Sequence, residues 1–123
     1  MTKEEKQLLL KDLSARLLYG VKLRYIEDLV TKKVSHTITL NNVYLEHIVN
    51  GDADIKPYLR PMSSMTEEEL EQCRATCKNR PIGKSVLDYA TIETFDWLNK
   101  NHFDYRGLIE KGLALEAPAE MYS

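Results

Sequence analysis

The chain has 123 residues, 17 Lys+Arg against 19 Asp+Glu, a formal net charge of -2, 43% hydrophobic residues and two cysteines. This excludes a disordered or collagenous chain and a disulfide scaffold, and no apolar run approaches the roughly 18 residues that cross a bilayer. The opening Thr2-Lys3-Glu4-Glu5 is unlike a secretory signal, so one cytoplasmic globular domain over residues 1–123 is expected.

Thr2 and Glu5 have the spacing of a capping box, and Leu9, Leu10, Leu13 and Leu17 follow at helical spacing, so a helix is predicted over residues 3–18. Lys6, Lys11, Asp12 and Arg16 fall mostly off that stripe, and Gly20 suits a left-handed stop. The period then changes to two. Val21, Leu23 and Tyr25 alternate with Lys22 and Arg24, and Val34, His36, Ile38 and Leu40 alternate with Ser35, Thr37 and Thr39. These are two strands, with Glu27-Asp28 and Lys32-Lys33 at a polar hairpin tip.

Residues 43–49 suit either a strand or a helix beginning after Asn42, with Asn50-Gly51-Asp52 ending either one. A strand is favoured, because a lone hairpin is marginal. Ile55–Leu59 reads as a short edge strand, where Pro57 costs no internal ladder bond. Thr66 and Glu69 form a second capping box, opening a helix that carries Leu70, Cys73 and Cys77 and ends near Asn79, before Pro81. Ser85 or Asp88 is the expected cap of a third helix with Ile92, Phe95 and Leu98 on one face. Asp104 is expected to cap a last helical turn through Ile109, stopped by Gly112, and the tail from about residue 116 to be irregular.

The order helix, strands, helices predicts an α+β domain. It has an N-terminal helix, a small antiparallel sheet of three to four strands, and two to three C-terminal helices packed on one face.

The segments Ile55–Glu69 (IKPYLRPMSSMTEEE) and Asp96–Ile109 (DWLNKNHFDYRGLI), with Leu13–Leu17 and Gly112–Pro118, are distinctive. In them the chain resembles a group of small hypothetical proteins encoded in phages, prophages and other mobile elements of gut anaerobes. Where those relatives place Pro before Tyr-Gly-Val, this chain has Leu18. The resemblance implies a genomic setting and assigns no activity or catalytic residue.

No nucleophile elbow, phosphate loop or metal-binding helix motif is present, so no catalytic residue, cofactor or metal is assigned. Cys73 and Cys77 lie one turn apart but lack the further ligands a zinc site needs, and burial as small hydrophobes accounts for both. His102, Asp104 and Arg106 could form the centre of a small enzyme, though a helix-to-helix turn also explains them. Tyr58, Arg60, Trp97, His102, Tyr105 and Arg106 are of the types enriched where partners bind, and form the candidate partner surface.

Residues 1–61 carry ten Lys/Arg and eight Asp/Glu (+2), and residues 62–123 carry seven and eleven (-4), which together give -2. Lys22, Arg24, Lys32, Lys33 and Lys56 could line one side of the sheet and touch phosphates, but the overall balance argues against a dedicated nucleic-acid binder. The leading expectation is a non-enzymatic accessory or protein-interaction module of a mobile element. A weak nucleic-acid binder is second and an enzyme third.

Overall fold

The computed structural model describes residues 1–51, 54–83 and 85–123. Its elements are α1 (Lys3–Arg16), β1 (Lys22–Asp28), β2 (Lys33–Thr39), α2 (Asn42–Asn50), β3 (Asp54–Leu59), α3 (Glu67–Thr76), α4 (Ile92–Lys100) and β4 (Leu115–Glu116), with short 3-10 turns between some of them. This is the expected α+β fold.

Local chemistry starts α1 as predicted: the Thr2 hydroxyl accepts from Glu5 N at 3.0 Å, and Glu5 accepts from Thr2 N at 2.8 Å. A 3-10 turn, Leu17–Tyr19, carries the chain to Gly20, whose φ of +70° reverses it into β1. β1 and β2 then pair antiparallel without a bulge, from Lys22↔Thr39 to Asp28↔Lys33. Leu29 and Val30 prolong neither strand; they sit in the turn closed by Leu29 N to Lys32 O.

Residues 43–49 form a helix, correcting the strand reading. Asn41, rather than Asn42, is the cap, and its side chain accepts from Tyr44 N at 3.1 Å. Gly51, at φ +69°, receives the chain at the other end; Asp52 of the expected stop lies outside the described residues. The hairpin needs no strand here because β3 supplies its third member, pairing antiparallel with β1.

The sheet order is β2-β1-β3-β4, so β3 is not an edge strand in that order. The two-residue β4 pairs parallel with it at Tyr58 and Leu59 only, which makes the sheet mixed. Ala117 N donates to Leu59 O, so the polar backbone of Leu59 points toward β4; by strand alternation that of Pro57 does too, at a position β4 does not reach. The donor that Pro57 lacks is therefore missing where no strand pairs.

One sheet face carries Leu23, Ile38, Ile55 and Leu59, which join Leu9 and Leu13 of α1 and Ile48 of α2 in the main core. On the opposite face lie Lys22, Arg24 and Ile26 of β1, Lys33, Ser35, Thr37 and Thr39 of β2, and Lys56 and Tyr58 of β3. None of these is buried.

α3 and α4 build a second cluster instead, with Cys73, Cys77, Val86, Leu98 and Phe103 buried in it. Thr91, not Ser85 or Asp88, caps α4. The Thr91 and Thr94 hydroxyls bond the Thr76 carbonyl at the end of α3, which turns Thr94, Leu98 and Asn99 inward. Ile92 is left 82% exposed and Phe95 38%, so the expected face Ile92/Phe95/Leu98 is rotated outward at its first two members. After α4 the chain runs through turns, and the helix expected after Asp104 does not form. Asp104 instead accepts from Leu108 N at 2.8 Å and Ile109 N at 2.9 Å, holding a wide turn.

Candidate functional site

The six candidate partner residues surround the junction where β3 leaves the sheet and meets the segment after α4. Arg60 N donates to His102 O, and Asp104 N to Arg60 O, so the two segments run side by side. Phe103, fully buried, is the centre of this junction. The Arg60 guanidinium lies over its ring at 4.1 Å and forms a two-point bridge to Glu69, both bonds 2.7 Å. That bridge holds the Glu69 carboxyl below the usual range. Trp97 stacks on Phe103 at 5.6 Å.

His102 stacks on Tyr122 at 3.8 Å, and its Nδ1 is buried without a protein partner. Burial first, then the charges of Arg16 and Arg60, push its pKa down to about 4. Its backbone, at φ +67°, is left-handed, and this directs the ring toward the C-terminal tail. Tyr105 donates to Asn99 Oδ1 at 2.9 Å, and Arg106 binds Asp12 Oδ1 at 3.2 Å. Tyr58 offers its carbonyl to the Tyr122 hydroxyl at 2.7 Å.

The junction thus gathers the predicted residues, and the side-chain polar groups of Arg60, Tyr105 and Arg106 already have intramolecular partners. His102, Asp104 and Arg106 engage three different partners: the Tyr122 ring, two backbone amides and Asp12. A cleft of about 500 Å³ opens beside the junction, lined by Arg60, Ser64, Glu69 and tail residues including Pro118 and Tyr122. Its arginine is neutralised by Glu69, and the Ser64 hydroxyl donates to Pro61 O.

Cys73 and Cys77 are free, buried thiols. Burial foremost, with the neighbouring Cys77 adding to it, pushes the Cys73 thiol up to about 11. Among the described residues no group of three His, Cys, Asp or Glu is placed to hold a metal, and no helix is long and apolar enough to cross a membrane.

Two polar residues escaped the sequence reading. Asp12 and Arg16 are fully buried, in a two-point bridge of 2.8 and 3.1 Å, with Arg16 Nη2 also donating to Phe103 O at 2.7 Å. They share the spacing of Leu9 and Leu13, so the buried face of α1 is Leu9, Asp12, Leu13 and Arg16. That i, i+3, i+4, i+7 phase was the signal available in the sequence.

A second feature lies at the far side of the sheet. Leu40 N donates to Val21 O, so Leu40 points its backbone at β1. Alternation then aims the backbone N–H and C=O of Lys33, Ser35, Thr37 and Thr39 away from β1, along an edge that no strand among the described residues covers. All four residues are exposed.

No protein-family model, curated protein or solved structure matches this chain.

Proposed function

We propose that this protein is a small non-enzymatic accessory protein that works by protein–protein contact, and that its contact surface is the free edge of β2. The observation that carries this reading is the edge itself: seven residues in continuous register, with no proline and no bulge. Natural sheets blunt such edges with charges, prolines, bulges or covering loops, because an open edge recruits another strand. Here the only Lys, Arg, Asp or Glu on β2 is Lys33, at its first position. An extended segment of another chain added here would be held by main-chain bonds, with alternate side chains reading its sequence. The resemblance to mobile-element proteins supplies the setting for such an accessory role. The aromatic and Arg residues at the Phe103 junction then serve to brace the two cores.

Selection from a displayed library of extended peptides tests this. Peptides retained by the wild type and lost by Thr37→Pro, which removes one outward donor, are the expected result. Peptides retained equally by both overturn it, as does retention by neither when the wild type is monomeric.

One observation favours a second reading, nucleic-acid binding. Register places Lys22, Arg24, Lys33 and Lys56 together on the uncovered sheet face, beside the hydroxyls of Ser35, Thr37 and Thr39. That face also holds Asp28 and Asp54, the latter 3.8 Å from Arg24, which reduces its field. Filter retention of single-stranded nucleic acid that falls steeply with salt would support this reading. No retention at low salt would remove it.

A further inference from the structure

The strand that fits the β2 edge best is β2 itself. We infer that this protein pairs with a second copy of its own chain, β2 against β2, antiparallel about a twofold axis at His36. The inference rests on the reading of β2 as the contact edge and names the occupant.

Three observations point to self-pairing. The first is the arrangement of the outward backbone groups. Lys33, Ser35, Thr37 and Thr39 are spaced symmetrically about His36, so in this register Lys33 meets Thr39 of the second copy and Ser35 meets Thr37. Every outward donor and acceptor of the edge then finds a partner. A register shifted by two residues strands one pair of them.

The second is the side-chain pattern, which is close to palindromic: Val34-Ser35-His36-Thr37-Ile38 reads apolar, hydroxyl, His, hydroxyl, apolar. On the core-side face Val34 would lie opposite Ile38, and on the open face Ser35 opposite Thr37. Such β-branched and hydroxyl pairs stabilise neighbouring strands. Lys33 faces a threonine rather than a like charge, and on the axis the two His36 imidazoles face each other, each beside its own Glu27 carboxylate.

The third is an unfinished row of rings on the core-side face. His47, Tyr44, Tyr25 and His36 follow one another at centroid spacings of 6.2, 6.1 and 6.1 Å, and the row stops at the edge with the His36 side chain 43% exposed. The Glu27 carboxylate lies 3.1 Å from His36 Nε2, in place to accept from its N–H, which gives each imidazole a carboxylate neighbour. In the paired register the row continues across the axis into the second copy, and the two four-stranded sheets become one.

Cysteine cross-linking tests the register. Two His36 residues would form a non-hydrogen-bonded pair with Cα atoms roughly 4.5 Å apart, within the approximate 4.4–6.8 Å range of a disulfide. His36→Cys should therefore oxidise to a covalent species of twice the 14.2 kDa chain mass. Ser35→Cys and Thr37→Cys, which face each other and not their own copies, should not. Native thiols are buried, so the wild type serves as the blank. Sedimentation equilibrium of the wild type should show a dimer that Thr37→Pro abolishes, with the circular dichroism spectrum of that variant unchanged because its lost N–H points away from β1.

Equal cross-linking of all three cysteine variants overturns the register. A wild type that remains monomeric, with no His36→Cys dimer, overturns self-pairing. If peptide selection still depends on Thr37 in that case, the edge reading stands and the occupant is another chain; if it does not, both fall.

Discussion

Burial of Asp12 and Arg16 makes the fold depend on each of them singly. Both side chains have no exposed surface, and Arg106 adds a second guanidinium to the same carboxylate. A buried pair gains little over an apolar one, but removing one partner leaves a charge uncompensated, at a cost of about 3–5 kcal/mol. Asp12→Ala should lower unfolding free energy in urea by that amount; a loss under about 1 kcal/mol would contradict the geometry. His102 gives a pH dependence. Its folded pKa, about 4, lies below the ordinary 6.5. Between those values the unfolded chain binds a proton that the folded chain does not. The stabilisation is therefore complete above about pH 6.5 and is lost as pH falls toward 4, with a slope of up to about 1.4 kcal/mol per pH unit. Asn tolerates the left-handed backbone at this position, so His102→Asn should fold and show a shallower slope over that window in parallel urea titrations. Identical slopes would refute the assignment.

At the scale of elements, the two Thr–Glu capping boxes were the most legible signals, because they depend on residues three apart and on nothing distant, whereas the caps of α2 and α4 fell on Asn41 and Thr91 instead of the expected residues. Thr2/Glu5 and Thr66/Glu69 both form the expected reciprocal bonds. Glu69 also receives Arg60, so one carboxylate starts α3 and ties it to the end of β3. Thr66→Ala should cost about 1 kcal/mol in thermal or urea unfolding, the usual value of a lost N-cap. An unchanged midpoint would mean that α3 is held by packing alone. Residues 43–49 were harder, since Val-Tyr-Leu-Glu-His-Ile-Val satisfies both periods over so short a span. The bond from Tyr44 N to Asn41 and the presence of β3 decided for helix. The orientation of α4 was likewise out of reach, because it follows from Thr91 and Thr94 meeting Thr76, 15 and 18 residues away.

At the scale of the whole molecule, the two clusters are joined at Phe103 and at the tail. Lys22 N donates to the Tyr122 hydroxyl, which donates to Tyr58 O, at 2.8 and 2.7 Å. Lys22 and Tyr58 lie one step beyond the last β1–β3 pair, Leu23↔Pro57, so the hydroxyl occupies the next rung of the ladder. Burial raises its pKa to about 12. Tyr122→Phe leaves a donor and an acceptor unpaired inside the fold and should destabilise by about 1–3 kcal/mol. It should also speed amide exchange at Lys22. Unchanged exchange there would show that the tail is not part of the sheet.

The sequence by itself determined the α+β class, the first helix, the β1–β2 hairpin and the two capping boxes. Each depends on residues within a few positions of one another. It also grouped Tyr58, Arg60, Trp97, His102, Tyr105 and Arg106 as notable, although not the roles they take around Phe103. Tertiary structure decided the rest: that Asp12 and Arg16 turn inward, that β3 lies inside the sheet order, and that β2 is left as an open edge. A local pattern fixes which face of an element is apolar. What covers that face, and which edge remains free, depends on contacts between residues far apart in the chain, and only the folded arrangement brings them together.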